Sequence, residues 1–115
     1  MMTPAEFKTL RESLGLTTEW LASRFKVSQR TVMRWEDTSQ APEAVAGELL
    51  NIEDYVEGIV DDVLMELRAL DGAEVEYAVP RVNDDSPSDD FPASFWRAVG
   101  ARIRAGNPDV QLVWL

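Results

Sequence analysis

The chain has 115 residues, 45% of them apolar, four tryptophans and a formal net charge of −10. That length predicts one compact domain or two very small ones, with enough apolar side chain to build a core. It holds no cysteine and no histidine, which removes disulfides, thiolate metal sites, the commonest metal ligand and the commonest general base.

The first helix is predicted to start at Thr3, with Pro4 at the first helical position and Glu6 three residues on, the capping-box pattern. Phe7, Leu10, Leu14 and the stem of Arg11 make its inward stripe, and Gly15 ends it. Thr17 caps a second helix that turns Leu21, Ala22 and Phe25 inward. Trp20 falls at a half-exposed position and is expected to pack on the first helix or, as the alternative, to form a protein-facing patch. After the short connection "KVS", Ser28 caps a third helix with Val32 and Trp35 inward. Three short helices with a tight turn between the second and third make a helix-turn-helix arrangement.

"TSQAPEA" reads as a polar loop, and Pro42 as the first residue of a long helix reaching about Leu70. Val45, Leu49, Ile52, Val56, Ile59 and Val63 recur at spacings of four and three, a heptad-like seam. Leu50, Val60, Leu64 and Leu67 widen it. Gly47 and Gly58 each weaken the helix by roughly 1 kcal/mol relative to alanine and are expected to mark a bend or a close helix contact. "DG" at 71–72 ends the helix, and "AEVEYAV" at 73–79 alternates as a strand does. Residues 83–90, "NDDSPSDD", read as a mobile acidic loop with no structural pattern. "FPASFWRAVGARIRAG" predicts a further helix with Phe95, Trp96, Val99 and Ile103 inward, and "VQLVWL" a terminal strand. Strand, helix, strand permits a parallel pair with a right-handed crossover. The expected fold class is therefore mainly α with a small α+β C-terminal part. Residues 1–41 are expected to form the helix-turn-helix bundle, packed on the start of the long helix. Residues 42–115 supply that helix and a strand-helix-strand dimerisation region.

Charge is divided unevenly. Residues 1–40 carry six basic and five acidic side chains, a balance of +1; residues 41–115 carry five and sixteen, a balance of −11. Phosphate repels the second part and leaves the first to approach a duplex. No run of about 18 apolar residues is present to span a membrane, and the N-terminus lacks an apolar leader, so a cytoplasmic protein is expected.

On the third helix, Gln29, Arg30, Met33 and Arg34 are the outward positions. A helix in the major groove presents such residues to base edges. Gln pairs in two places with adenine, Arg with guanine, and an apolar side chain meets the thymine methyl. Thr17, Thr18, Lys26, Ser28 and Thr31 suit phosphates, and Thr38, Ser39 and Gln40 add backbone contacts from the following loop. The adjacent carboxylates Asp61 and Asp62 diverge by about 100° on a helix, so no metal site is expected there.

The stretch "LGLTTEWLASRFKVSQRTVMRWE" resembles the Xre/Cro-cI helix-turn-helix family, on Leu16, Thr17, Leu21, Ala22, Val27, Ser28, Thr31, Val32, Trp35 and Glu36. The resemblance covers about the first third of the chain and implies a lambda-repressor-like bundle. The remaining order is similar to the anti-CRISPR-associated phage regulators with a small C-terminal dimerisation domain. Lys26 stands where the family usually has Gly in the turn, and Thr18 where it usually has a backbone-contacting Gln.

One short helix reads few bases, so two copies are expected on an inverted repeat, with half-sites about 34–36 Å apart. Ile52, Val56, Ile59, Val63, Val110, Leu112 and Trp114 are the expected dimer contacts. The expected function is a DNA-binding regulator, a repressor that acts on its own operon as the resemblance implies, with no enzymatic activity and no cofactor. The alternative is an antitoxin whose acidic part binds a toxin. RNA is a second nucleic acid that the same basic face admits.

Overall fold

The computed structural model describes residues 1–70, 72 and 74–115. Its elements run in the order α1 (Pro4–Ser13), α2 (Thr18–Phe25), α3 (Gln29–Trp35), α4 (Glu43–Arg68), β1 (Val75–Val79), a 3-10 turn (Asn83–Asp85), α5 (Ala93–Gly106) and β2 (Val110–Trp114). The chain is mainly helical with one small sheet.

The caps form where the polar residues place them. Thr3 accepts the Glu6 N–H at 3.1 Å and Glu6 accepts the Thr3 N–H at 3.0 Å. These bonds to Thr3 hold the Glu6 carboxylate below its ordinary pKa. Thr17 caps α2 and Ser28 caps α3 in the same sense, each cap contributing about 1 kcal/mol. At the end of α1, Gly15 takes φ 66°, its N–H donates to Glu12 and the Leu16 N–H to Arg11, closing the helix.

Phe7, Leu14, Leu16, Leu21 and Val32 are fully buried where α1, α2 and α3 meet. Trp35 sits among them, edge-on to Phe7 at 6.0 Å and to Phe25 at 6.4 Å. The core continues along α4 through Val45, Leu49, Ile52 and Val56, and on to Phe95, Val99 and Ile103 of α5 and Val110 of β2. It crosses residue 41 without a break.

Strands β1 and β2 pair in parallel, Val75 opposite Val110 and Val79 opposite Trp114. α5 lies on one face of this pair so closely that a Cβ on Gly100 would stand 2.6 Å from Val79 Cγ1. Residues 83–90 are not patternless, as the sequence suggested. Residues 83–85 form the 3-10 turn, and Asn83 Oδ1 accepts the Ala93 N–H at 2.9 Å, which satisfies a free donor at the start of α5.

Several expectations need correction. Ile52, Val56 and Val110 are 5%, 1% and 3% exposed within one chain, so they are not available to a second copy. Ile59, Val63 and Leu112 are half-buried, while Trp114 is 53% exposed. The buried line of α4 follows the expected seam as far as Val56 and then takes Val60 in place of Ile59. The reason is tertiary. The end of α5 comes up on the Leu64 flank, where a Cβ on Gly106 would stand 2.6 Å from Leu64 Cδ1. Gly47 and Gly58 make no close contact in the chain: a Cβ on either meets nothing within 4 Å. α4 ends at Arg68, two residues before Leu70. The expected stop at "DG" and the strand start at Ala73 involve Asp71 and Ala73, which lie outside the described residues. Trp20 stacks on Phe91, from the C-terminal part, a partner not expected for it.

Candidate nucleic-acid interface

α3 is a seven-residue helix with two distinct faces. Val32 and Trp35 are buried against α1 and α2, which holds the helix axis in place. Gln29, Arg30, Met33 and Arg34 are exposed on the other side, Met33 by 52%. The same spacing that buries one pair of residues therefore displays the other four.

Local hydrogen bonds order this face. Gln29 Nε2 donates to Thr18 Oγ1 at 3.1 Å, so the first residues of α3 and α2 are joined at the surface. Gln29 Oε1 and its second amide hydrogen remain open to another partner. Ser28 Oγ accepts the Thr31 N–H at 3.1 Å and lies 3.0 Å from Thr31 Oγ1. Thr17 Oγ1 accepts the Trp20 N–H at 2.9 Å and keeps its own O–H to donate. After α3, the N–H groups of Asp37, Thr38 and Ser39 all converge on the Arg34 carbonyl at 2.9–3.1 Å. Thr38, Ser39 and Gln40 are exposed just beyond it.

The turn between α2 and α3 depends on Lys26, whose φ of 55° makes it the one non-glycine left-handed residue among those described. Its N–H donates to Ser23, and the Val27 N–H donates to Ala22. These closing bonds need the left-handed geometry that glycine adopts freely and lysine adopts at a cost of about 1 kcal/mol. The Lys26 side chain is exposed beside Ser28.

The ion pairs separate the cations of this part of the chain. Arg11 is paired with Glu36 and donates to the Leu16 carbonyl at 2.8 Å. Arg24 is paired with Glu48 of α4 at 2.6 Å. Among the described residues these are the two ion pairs, and Lys26, Arg30 and Arg34 belong to neither. A surface that joins three unpaired cations to an oriented amide, hydroxyls and one thioether suits an anionic, hydrogen-bonding polymer.

No family model matches this chain, and no curated protein matches it either. Sequence reasoning located Gln29, Arg30, Met33 and Arg34 on the exposed face. It did not find the Gln29–Thr18 bond, since residues 11 apart on different helices carry no local signal. It placed the stem of Arg11 inward but did not find its partner Glu36, 25 positions away.

Proposed function

We propose that this chain is a sequence-specific DNA-binding transcriptional regulator, a repressor that works in the cytoplasm as a homodimer on an inverted repeat. α2, the Lys26 turn and α3 act as a helix-turn-helix. Gln29, Arg30, Met33 and Arg34 read base edges in the major groove. Thr17, Thr18, Lys26, Ser28 and Thr31 hold phosphates, with Thr38, Ser39 and Gln40 beside them. Occupying a promoter blocks polymerase and needs no catalytic group. Repression of its own operon is part of the proposal.

The observation that carries this reading is the sorting of charge around α3. Arg11 and Arg24 are tied to Glu36 and Glu48, while Arg30 and Arg34 stand exposed and unpaired on a helix whose other face is core. The acidic remainder of the chain fits a molecule that touches a duplex with one face only.

The test is selection of duplexes from a random pool, then anisotropy with Arg30→Ala and Arg34→Ala. Each variant is expected to lose about 1–3 kcal/mol of binding and to relax specificity at one base pair, with its thermal midpoint unchanged. If both bind the selected site as the native protein does, the assigned face is wrong. A matching single-stranded RNA serves as the competing probe.

The two-fold contact is drawn from apolar surface that the monomer leaves open: Ile59, Val63 and Leu112 in part, with Met65, Leu70 and Trp114. Light scattering that returns a monomer at micromolar concentration would remove the dimer.

A second reading, an antitoxin, is favoured by the outer face of α4. Asp54, Glu57, Asp61, Asp62 and Glu66 are exposed there, and none joins an ion pair among the described residues. Stoichiometric binding of a basic toxin, lost when these carboxylates are neutralised, distinguishes it.

A further inference from the structure

We propose that Trp20 and Phe91 set the spacing between half-sites, by bolting the α1–α3 unit to α4 and α5 as one rigid body. This rests on the DNA-binding reading above and adds to it the residues that decide which spacer is accepted.

Trp20 lies on the side of α2 away from the buried Leu21 and Ala22 and is only partly buried against the core. Its ring stacks on Phe91 with centroids 5.6 Å apart at 23°, and its indole N–H donates to the Asp90 carbonyl at 3.1 Å. Phe91 in turn stacks on the fully buried Phe95 at 4.0 Å and on Tyr55 of α4 at 5.9 Å. The aromatic path therefore runs from α2 into the core of α5 and out to α4.

Polar contacts brace the same junction. Ser94 donates to the Gly15 carbonyl, Arg102 donates to the Ser13 carbonyl at 3.3 Å, and Arg24 meets Glu48 of α4 at 2.6 Å. α2 is thus held by Asp90 and Phe91, just before α5, and by Glu48 of α4, while α5 itself holds the turn before α2. α3 follows α2 after three residues, so its angle to α4 and α5 is a property of the folded chain rather than of a linker.

In a dimer held through the C-terminal part, that angle fixes the separation of the two reading helices. Adding one base pair shifts a half-site by about 3.4 Å and turns it by about 34° around the duplex. A rigid pair cannot follow both changes, and the second half-site is lost with its share of avidity. Removing Trp20 or Phe91 leaves the α3 face untouched and loosens the junction on the side of α5, while the core through Ala41, Val45 and Leu49 still holds the two parts together.

The experiment is anisotropy of the full chain on a selected site, on the same site with the spacer changed by one and two base pairs in each direction, and on an isolated half-site. The native protein is expected to lose at least about tenfold on any spacer change. Trp20→Ala and Phe91→Ala are expected to flatten that profile by at least about threefold while binding the isolated half-site as before. Trp20→Phe, which keeps a ring on Phe91, is expected to retain the native profile. Equal binding of all spacers by the native protein, or an unchanged profile in both alanine variants, overturns the proposal and leaves the DNA-binding reading intact. Binding to no duplex at all sinks both. Amide nitrogen-15 relaxation of the native protein tests the bolt without DNA, even if the alanine variants fail to fold. One rotational correlation time for residues 4–35 and 43–115 is expected, and two distinct times overturn the proposal.

Discussion

Arg11 on α1 and Glu36 at the end of α3 form an ion pair with side chains only 12% and 9% exposed, and the same guanidinium donates to the Leu16 carbonyl. One side chain thereby closes the end of α1, the start of the α2 turn and the exit of α3. Breaking a pair this sheltered leaves a charge without its counter-ion. Glu36→Ala is expected to cost about 3 kcal/mol in urea denaturation. The double variant Arg11→Met with Glu36→Leu is expected to recover most of it, because an apolar pair of similar volume carries no desolvation penalty. A loss below about 0.5 kcal/mol for Glu36→Ala would mean that the pair behaves as a surface contact.

Lys26 sets stability against binding. Lys26→Gly relieves the left-handed strain and is expected to raise stability by up to about 1 kcal/mol. If Lys26 also meets a phosphate, the same change lowers the slope of log affinity against log salt by about 1. Thermal denaturation and a salt titration on a selected duplex read the two effects separately. Stabilisation with an unaltered salt slope would leave Lys26 as a turn residue alone.

The glycines divide in the same physical terms. Gly15 has φ 66°, and a Cβ there would stand 2.1 Å from the Ser94 carbonyl oxygen. Gly15→Ala must displace backbone, so a loss above about 2 kcal/mol is expected. Gly58 is helical with nothing within 4 Å, so Gly58→Ala is expected to stabilise by roughly 1 kcal/mol. Stabilisation by both substitutions in chemical denaturation would contradict the close packing of α5 on the α1–α2 turn.

Under the proposed function Thr18 has two parts: its Oγ1 accepts the Gln29 amide, and its own O–H is left to donate to a phosphate. Thr18→Val keeps the shape and removes the oxygen that accepts the Gln29 amide. Stability is expected to change by less than about 0.5 kcal/mol, since the bond lies at the surface. Affinity for the selected duplex is expected to fall by at least about 1 kcal/mol, since the support of the Gln29 amide and a phosphate donor are lost together. Thr18→Ser, which restores a hydroxyl, is expected to return most of it. Equal binding by all three proteins would show that Gln29 needs no support.

Read alone, the sequence determined what depends on neighbours within a turn or two of helix. Thr3, Thr17 and Ser28 cap because a hydroxyl just before a helix reaches an N–H three residues on. Phe7, Leu14, Leu21, Val32 and Trp35 are core because their spacing puts them on one side of short helices. The exposed face of α3 was legible for the same reason. Tertiary structure alone decided the rest. Val60 is buried in place of Ile59 because α5 happens to arrive on that flank. Ile52, Val56 and Val110 serve the chain's own core instead of a second copy. Trp20 meets Phe91 and Arg11 meets Glu36, partners 71 and 25 positions apart. Periodicity states which side of a helix is apolar, but what covers that side is set by contacts between distant segments, and no local pattern encodes those.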